Sequence, residues 1–240
     1  MSPDSREHRG PHPEDRELFD GEMLLRLKQA FRELSWLLEH GYPLKASLKL
    51  VGDKNGLTDR QRLALSRVVC SEKERDERRR FLLPLSAVTA EHVLVDGFNL
   101  IITMEAALSK GLLLMSRDGC IRDLASVHSS YKSVQETVRA IAILGETLMK
   151  YQPSSVTWLL DSPVSNSGRL ASKIRAVAEE KGWSWDVEVF FNPDTIMINS
   201  GQIVATSDSA VISKGVRWVN LIAEVILANS NSYWLVDFAT

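Results

Sequence analysis

The sequence predicts an α/β fold, a mostly parallel sheet flanked by helices, preceded by a small three-helix N-terminal domain. Three observations carry this. After Pro84, short and nearly all-apolar runs rich in β-formers recur. Stretches with apolar residues at three- and four-residue steps lie between them. Before Ser71 only the helical spacing is present. Strands that are apolar along their whole length are buried on both faces, as parallel sheets are. With 240 residues, 44% of them apolar, the chain has enough material for one large domain or two modest ones.

Residues 1–19 are polar and proline-bearing and read as a disordered tail, unable to bury enough apolar surface to offset ordering. They lack the apolar stretch of a signal peptide. From Asp20, a plausible N-cap, the residues Leu24, Leu27, Phe31, Leu34 and Leu38 form one helical stripe that stops near Gly41. A short second helix fits Pro43 to Val51, with Gly52 just beyond its end. A third starts after Thr58, which stands at capping-box spacing from Gln61, and runs into the charge-dense Ser71–Arg80. The helical domain therefore spans 20–80. Between Leu57 and Arg80, eight Lys/Arg face five Asp/Glu, a net of +3. That is either a solvated mixed-sign face or a guide for a nucleic-acid strand.

The α/β domain is expected over 90–240. Its strands are His92–Asp96, Val156–Asp161, Val187–Phe191 with Asp194 shortly after, and Ile203–Ala205 leading to Asp208. Ser133 and Glu136 have capping-box spacing and would open a helix to about Lys150, with Val138, Ile141, Leu144 and Leu148 on one face. Leu170 to Lys181 is a further helix closed by Gly182.

Bulk properties exclude several classes. The net charge of −2 gives no global signal for nucleic acid or membrane, so any basic surface is local. Cys70 and Cys120 show no metal-ligand spacing and no disulfide framework. The apolar run from Val93 is interrupted by Asp96, Asn99 and Glu105, too soon for a membrane span. A soluble, cytoplasmic protein with no membrane partner is the expectation. A homo-oligomer is compatible with the sequence, which does not fix the oligomeric state.

The chemistry lies in the acids. Ligands of open parallel sheets bind outside the carboxyl ends of the strands. If the four runs are parallel neighbours, Asp96, Asp161, Asp194 and Asp208 converge at one edge. Carboxylates so crowded repel one another, and hard Mg²⁺ or Mn²⁺ would relieve the conflict. The competing reading is that each aspartate only caps the next helix or turn.

The residues Val95-Asp96-Gly97-Phe98-Asn99-Leu100-Ile101 resemble the first-strand motif of PIN-like nucleases, particularly the NYN branch. Leu159-Leu160-Asp161-Ser162-Pro163 is similar to the second acidic motif of that group, and Val204-Ala205-Thr206-Ser207-Asp208 to its final one. Asp194 stands where the acid opening the preceding helix would be. The resemblance, over about residues 90–228, implies metal-binding, catalytic roles for the four aspartates, with Asn99 and Thr206 supporting them at the substrate side. It implies RNA as partner and phosphodiester hydrolysis as the reaction. The alternatives are a non-catalytic RNA-binding adaptor of the same fold, or a phosphohydrolase of small nucleotides. Gly41-Tyr42-Pro43, the stretch Leu57–Leu65 and Asp96–Asn99 together also resemble a family that pairs a helical domain of unknown function, number 434, with a PIN-like domain.

Secondary candidates each have two readings. Around the Asp118-Gly119 turn, Arg117 and Arg122 could hold a substrate phosphate while Asp118 or Asp123 touches a metal, or the stretch is only a turn. Ser165 and Ser167 either cap the helix near Arg169 or receive a phosphate. Arg169, Lys173 and Arg175 give that helix a basic character. Glu105 faces either the site or solvent. His128 reads as structural or exposed, and Trp183 and Trp185 as core.

Overall fold

The computed structural model describes residues 7–125 and 131–239. Five helices precede the first strand: α1 (Asp15–Leu18), α2 (Gly21–Glu39), α3 (Leu44–Lys54), α4 (Asp59–Val68) and α5 (Glu72–Arg80). α2 starts where the Asp20 carboxylate accepts from Gly21 N, and it buries Leu27, Ala30, Phe31 and Leu34. α3 does not stop before Gly52 but runs on to Lys54. Gly52 is inside it because the Arg62 guanidinium occupies the space of a side chain, a Cβ there lying 2.2 Å from Nη1. Here glycine permits close packing instead of ending the helix.

Thr58 and Gln61 form the expected capping box. The expected continuation to Arg80 is broken, however. Val69 is extended, and Ser71 with Glu74 makes a second capping box that opens α5. The predicted third helix is thus two.

Residues 7–19, read from sequence as tail, are built into the molecule. Leu18 and Phe19 join the core beside α2. The Arg9 side chain is fully buried, with Nε donating to Glu105 and Nη2 to the Lys132 carbonyl at 2.8 Å. Asp15 is buried and accepts from Arg60 Nη2 at 2.8 Å. Ion pairs anchor this segment, and a composition argument counts those same charges as disordering.

The remainder is α/β. In chain order it runs β1 (Leu82–Leu83), β2 (His92–Asp96), α6 (Gly97–Leu108), β3 (Leu112–Met115), β4 (Ile121–Asp123), α7 (Thr137–Met149), β5 (Ser155–Asp161), α8 (Ser167–Lys181), β6 (Trp185–Phe190), α9 (Pro193–Asn199), β7 (Ile203–Ala205), α10 (Ser209–Ile212), β8 (Trp218–Val219), α11 (Leu221–Leu227) and β9 (Trp234–Asp237). A six-stranded sheet has the order β1-β8-β7-β2-β5-β6 with every pairing parallel. Alternate residues serve its two faces. Val93, Val95, Trp158 and Leu160 enter the core under α6, α7, α8 and α11, whereas Leu94, Leu159 and Val204 pack toward α9 and α10.

A second sheet, β4-β3-β9, has no counterpart in the sequence reading. It is a shared wall: Leu113 and Ile121 belong to the main core, and Leu112, Leu114, Val236 and Phe238 pack with Leu27, Phe31 and Leu65 of the helical region. α7 also starts differently from the expectation. Ser133 and Glu136 form no box; Thr137 Oγ1 accepts from Val134 N at 2.9 Å instead, and Val138 is exposed. Trp183 and Trp185 stack with ring centroids 4.6 Å apart over Gly145. Among the described residues no helix is long and apolar enough to cross a membrane.

Arg9→Ala leaves Glu105 buried without its guanidinium, so it should cost about 3–5 kcal/mol in urea unfolding. Wild-type stability in that variant would return residues 7–13 to the status of a free tail.

Candidate functional site

β2 lies between β5 and β7. The chain builds outward from β2 through β5 to β6, then crosses back to place β7 and β8 on the other side. The switch opens a crevice at the carboxyl ends of the strands. Asp96 ends β2 and Asp161 ends β5; Asp194 is in the first turn of α9, and Asp208 is the N-cap of α10. All four line one cleft of about 280 Å³. Asn99, Asp123 and Arg67 line it too.

Local sequence explains how the acids are held. At Gly97 a Cβ would stand 2.6 Å from Leu160 Cδ2 and 3.0 Å from the Leu159 carbonyl. Its absence lets α6 begin tight against β5, so Asp96 sits beside the end of the neighbouring strand. The Asp96 carboxylate caps α6 and accepts from Thr206 Oγ1 at 2.7 Å. The same Oγ1 accepts from Asp208 N at 3.0 Å. Asn99 Oδ1 accepts from both the backbone N (2.9 Å) and the hydroxyl (2.8 Å) of Ser207. Thr206 and Asn99 therefore stitch the end of β2 to the loop carrying Asp208.

Negative charge is concentrated in the cleft. Among the described residues none of Asp96, Asp123, Asp161, Asp194 and Asp208 forms an ion pair. Burial pushes the Asp96 carboxyl up to about 7; the Thr206 hydrogen bond opposes this, and repulsion from Asp208 and Asp194 adds to it. Asp194 is raised by burial and then by Asp208 and Asp161. Asp123 is buried and accepts from Thr103 Oγ1 and from Ala125 N, each at 2.7 Å. Among the described residues no three His, Cys, Asp or Glu are close enough together to hold one metal ion as they stand. The acids share a cleft without having drawn into a coordination shell.

Other candidates are placed elsewhere. Arg122 is buried, with Nε donating to the Ser207 carbonyl at 3.0 Å, Nη1 to the Arg67 carbonyl at 3.1 Å and Nη2 to Asp118 at 2.9 Å. Arg78 reaches Asp118 from α5 at 2.7 Å. Burial favours the neutral form of Asp118, but Arg122 and Arg78 outweigh it and hold the carboxyl well below the ordinary range. Arg117 donates to Glu39 and to the Cys70 carbonyl. Arg78, Arg117 and Arg122 thus join the helical region to the α/β part and do not line the cleft. Ser167 Oγ donates to the Asp161 carbonyl at 2.6 Å, supporting the backbone of that acid, and Ser165 is exposed outside the cleft. Glu105 faces neither site nor solvent: it is buried with Arg9, Tyr131 and Thr137. His128 lies outside the described residues.

Residues 85–224 match the family described as a domain of unknown function, DUF5616, and residues 26–80 match a protein of unknown function, DUF434. The chain belongs to the DUF5616 family. The five cleft acids all fall within the DUF5616 segment, whereas Arg67 comes from the DUF434 segment. An uncharacterized protein of Methanocaldococcus jannaschii, MJ0935, is 34% identical over 204 residues, which cover 83% of this chain and 96% of that protein. Similarity to it extends across both segments. No solved structure matches the chain.

Two cleft residues were underweighted by sequence reasoning. Asp123 ends a three-residue strand, too short to read, although an acid at a strand end was the signal used for the others. Arg67 is one of eight basic residues in its stretch, and only the fold singles it out.

A carboxyl whose folded pKa lies above its unfolded value contributes stability while protonated, and the contribution is lost as pH rises through the folded pKa. For Asp96 that window runs from 3.8 to about 7. In EDTA, the thermal midpoint of wild type relative to Asp96→Asn should therefore fall between about pH 4 and about pH 7. A difference that stays flat across this range would show that neither burial nor its acidic neighbours raise the Asp96 carboxyl.

Proposed function

We propose that this protein is a divalent-metal-dependent nuclease of PIN-like type that hydrolyses RNA phosphodiesters in the acid cleft. The observation that carries the reading is the meeting of Asp96, Asp161, Asp194 and Asp208, from four separate segments, in one cleft without an ion-pair partner among the described residues. The choice of RNA follows from the resemblance of the Asp96-Gly97-Phe98-Asn99 segment to NYN-type domains.

The donor set fits a hard cation. Every acid offers oxygen, and the Asp96 carboxyl, raised first by burial and further by Asp208 and Asp194, is one that a counter-ion would return to its charged form. Asp96 and Asp208 would hold Mg²⁺ or Mn²⁺, with Asp161 and Asp194 completing the set. Such an ion, when bound, lowers the pKa of a water nucleophile and stabilises the departing oxygen. The chain's own task is positioning. Thr206 Oγ1 fixes one Asp96 oxygen, and the helix-capping hydrogen bonds of Asp96 and Asp208 leave each carboxylate lone pairs free. Capping and metal binding are therefore compatible roles for the same side chain. Asn99 keeps the Asp208 loop at its distance from β2.

A second reading is a non-catalytic RNA-binding adaptor. It is favoured by the absence, among the described residues, of three acids within reach of a common ion.

Purified protein should cleave single-stranded RNA in Mn²⁺ or Mg²⁺ and lose that activity in EDTA. Asp96→Asn and Asp208→Asn should each fall to background while remaining folded. Thr206→Val should lose about 10- to 100-fold, the usual cost of removing a hydrogen bond that orients a metal ligand. RNA binding by the wild type without cleavage in either metal would decide for the adaptor, and full activity in Asp96→Asn would exclude this site.

A further inference from the structure

The cleft walled by acids also receives a cation from outside the α/β part. Arg67 is in the last turn of α4, in the helical region, yet it lines the cleft beside Asp96, Asp123 and Asp208. Its backbone is fixed there: the Arg67 carbonyl accepts from Arg122 Nη1 at 3.1 Å, and the Val68 carbonyl accepts from Arg117 N at 3.0 Å. Arg122 simultaneously holds the Ser207 carbonyl next to Asp208. The end of α4 and the Asp208 loop are thus tied to one guanidinium.

The Arg67 side chain has a different status. Among the described residues it forms no ion pair with the acids around it and donates no hydrogen bond, and its Nε is fully buried without a partner. A guanidinium retained only to neutralise the cleft would pair with a carboxylate. Nε itself is closed to solvent, so the Nη edge, which lines the cleft and has no partner among the described residues, is the part that an acceptor arriving with a ligand meets.

We infer that Arg67 is the substrate-anchoring residue of the cleft, receiving a phosphodiester of a single-stranded RNA on its free guanidinium edge. The inference rests on the nuclease reading and gives the helical region a place in the site. An acidic cleft repels a polyanion, and a planar, permanently charged fork is suited to hold one phosphate against that repulsion. Arg67 therefore acts on binding, and the aspartates act on hydrolysis.

The test measures equilibrium binding of a labelled short single-stranded RNA in Ca²⁺ across a salt series, with inorganic phosphate and a mononucleotide as competitors. Cleavage in Mn²⁺ is followed separately. Arg67→Ala should weaken binding by roughly tenfold or more and reduce the salt slope by about 0.7–1, one phosphate contact. It should raise KM with little change in kcat, and it should not lower the thermal midpoint, because no protein group loses a partner. Arg67→Lys should restore the slope but not the full affinity. Competition by phosphate alone as effective as by RNA would overturn the polymer as ligand. Wild-type affinity and slope in Arg67→Ala would overturn the role of Arg67 while leaving the nuclease reading intact, provided wild type cleaves. A wild type that neither binds nor cleaves RNA removes both.

Discussion

Like-charge crowding at the switch point of the parallel sheet is the constraint on which the site depends. Asp96 and Asp161 are the last residues of adjacent strands, and Asp208 follows the strand on the other flank of β2. The sheet's order, not any local preference of the acids, brings them together. Such an arrangement costs folding free energy: burial first, and then the neighbouring aspartates, push Asp96 and Asp194 upward. The surroundings sustain it through neutral donors, a threonine hydroxyl and helix-terminal amides, while the Asn99 side chain accepts from Ser207 and holds the Asp208 loop. Neutral donors orient a carboxylate without cancelling its charge, which leaves it available to a cation.

The other buried charges follow the opposite rule. Asp118 lies between Arg78 and Arg122, and Glu105 accepts from Arg9, Tyr131 and Thr137. These acids are compensated on the spot and serve to join segments distant in sequence. Arg78 and Arg122 bring α5 to the turn after β3, and Arg9 brings the N-terminal segment to α6. Within one molecule, compensation separates the carboxylates that join segments from the cleft acids, which have no ion-pair partner among the described residues. Arg67 and the cleft acids make the same contrast with reversed sign.

Legibility in the sequence followed element length and the range of the interactions. Long apolar runs ending in an acid were readable because they carry their signal locally: β2 and β7 have the expected bounds, while β5 begins one residue and β6 two residues before the expected runs. The two-residue β1 and β8 are too short for any periodicity, and β3, β4 and β9 form a sheet whose strands come from both ends of the α/β part. Gly52 looked like a helix stop because the Arg62 side chain that requires it comes from the next helix. Arg122 left both a turn and a phosphate-binding reading open because nothing in its neighbourhood reveals that Ser207 and Arg67 supply its acceptors. The four aspartates were legible as a set; their stitching through Thr206 and Asn99 was legible only as a resemblance.

The central claim is that these acids share a cation, and anomalous scattering from a crystal soaked in Mn²⁺ tests it most directly. The account predicts a peak in the cleft, bounded by oxygens of Asp96 and Asp208 and at least one of Asp161, Asp194 or Asp123, which move closer than they stand here. A fully soaked crystal with no peak among these side chains, or with manganese bound only elsewhere, would contradict it.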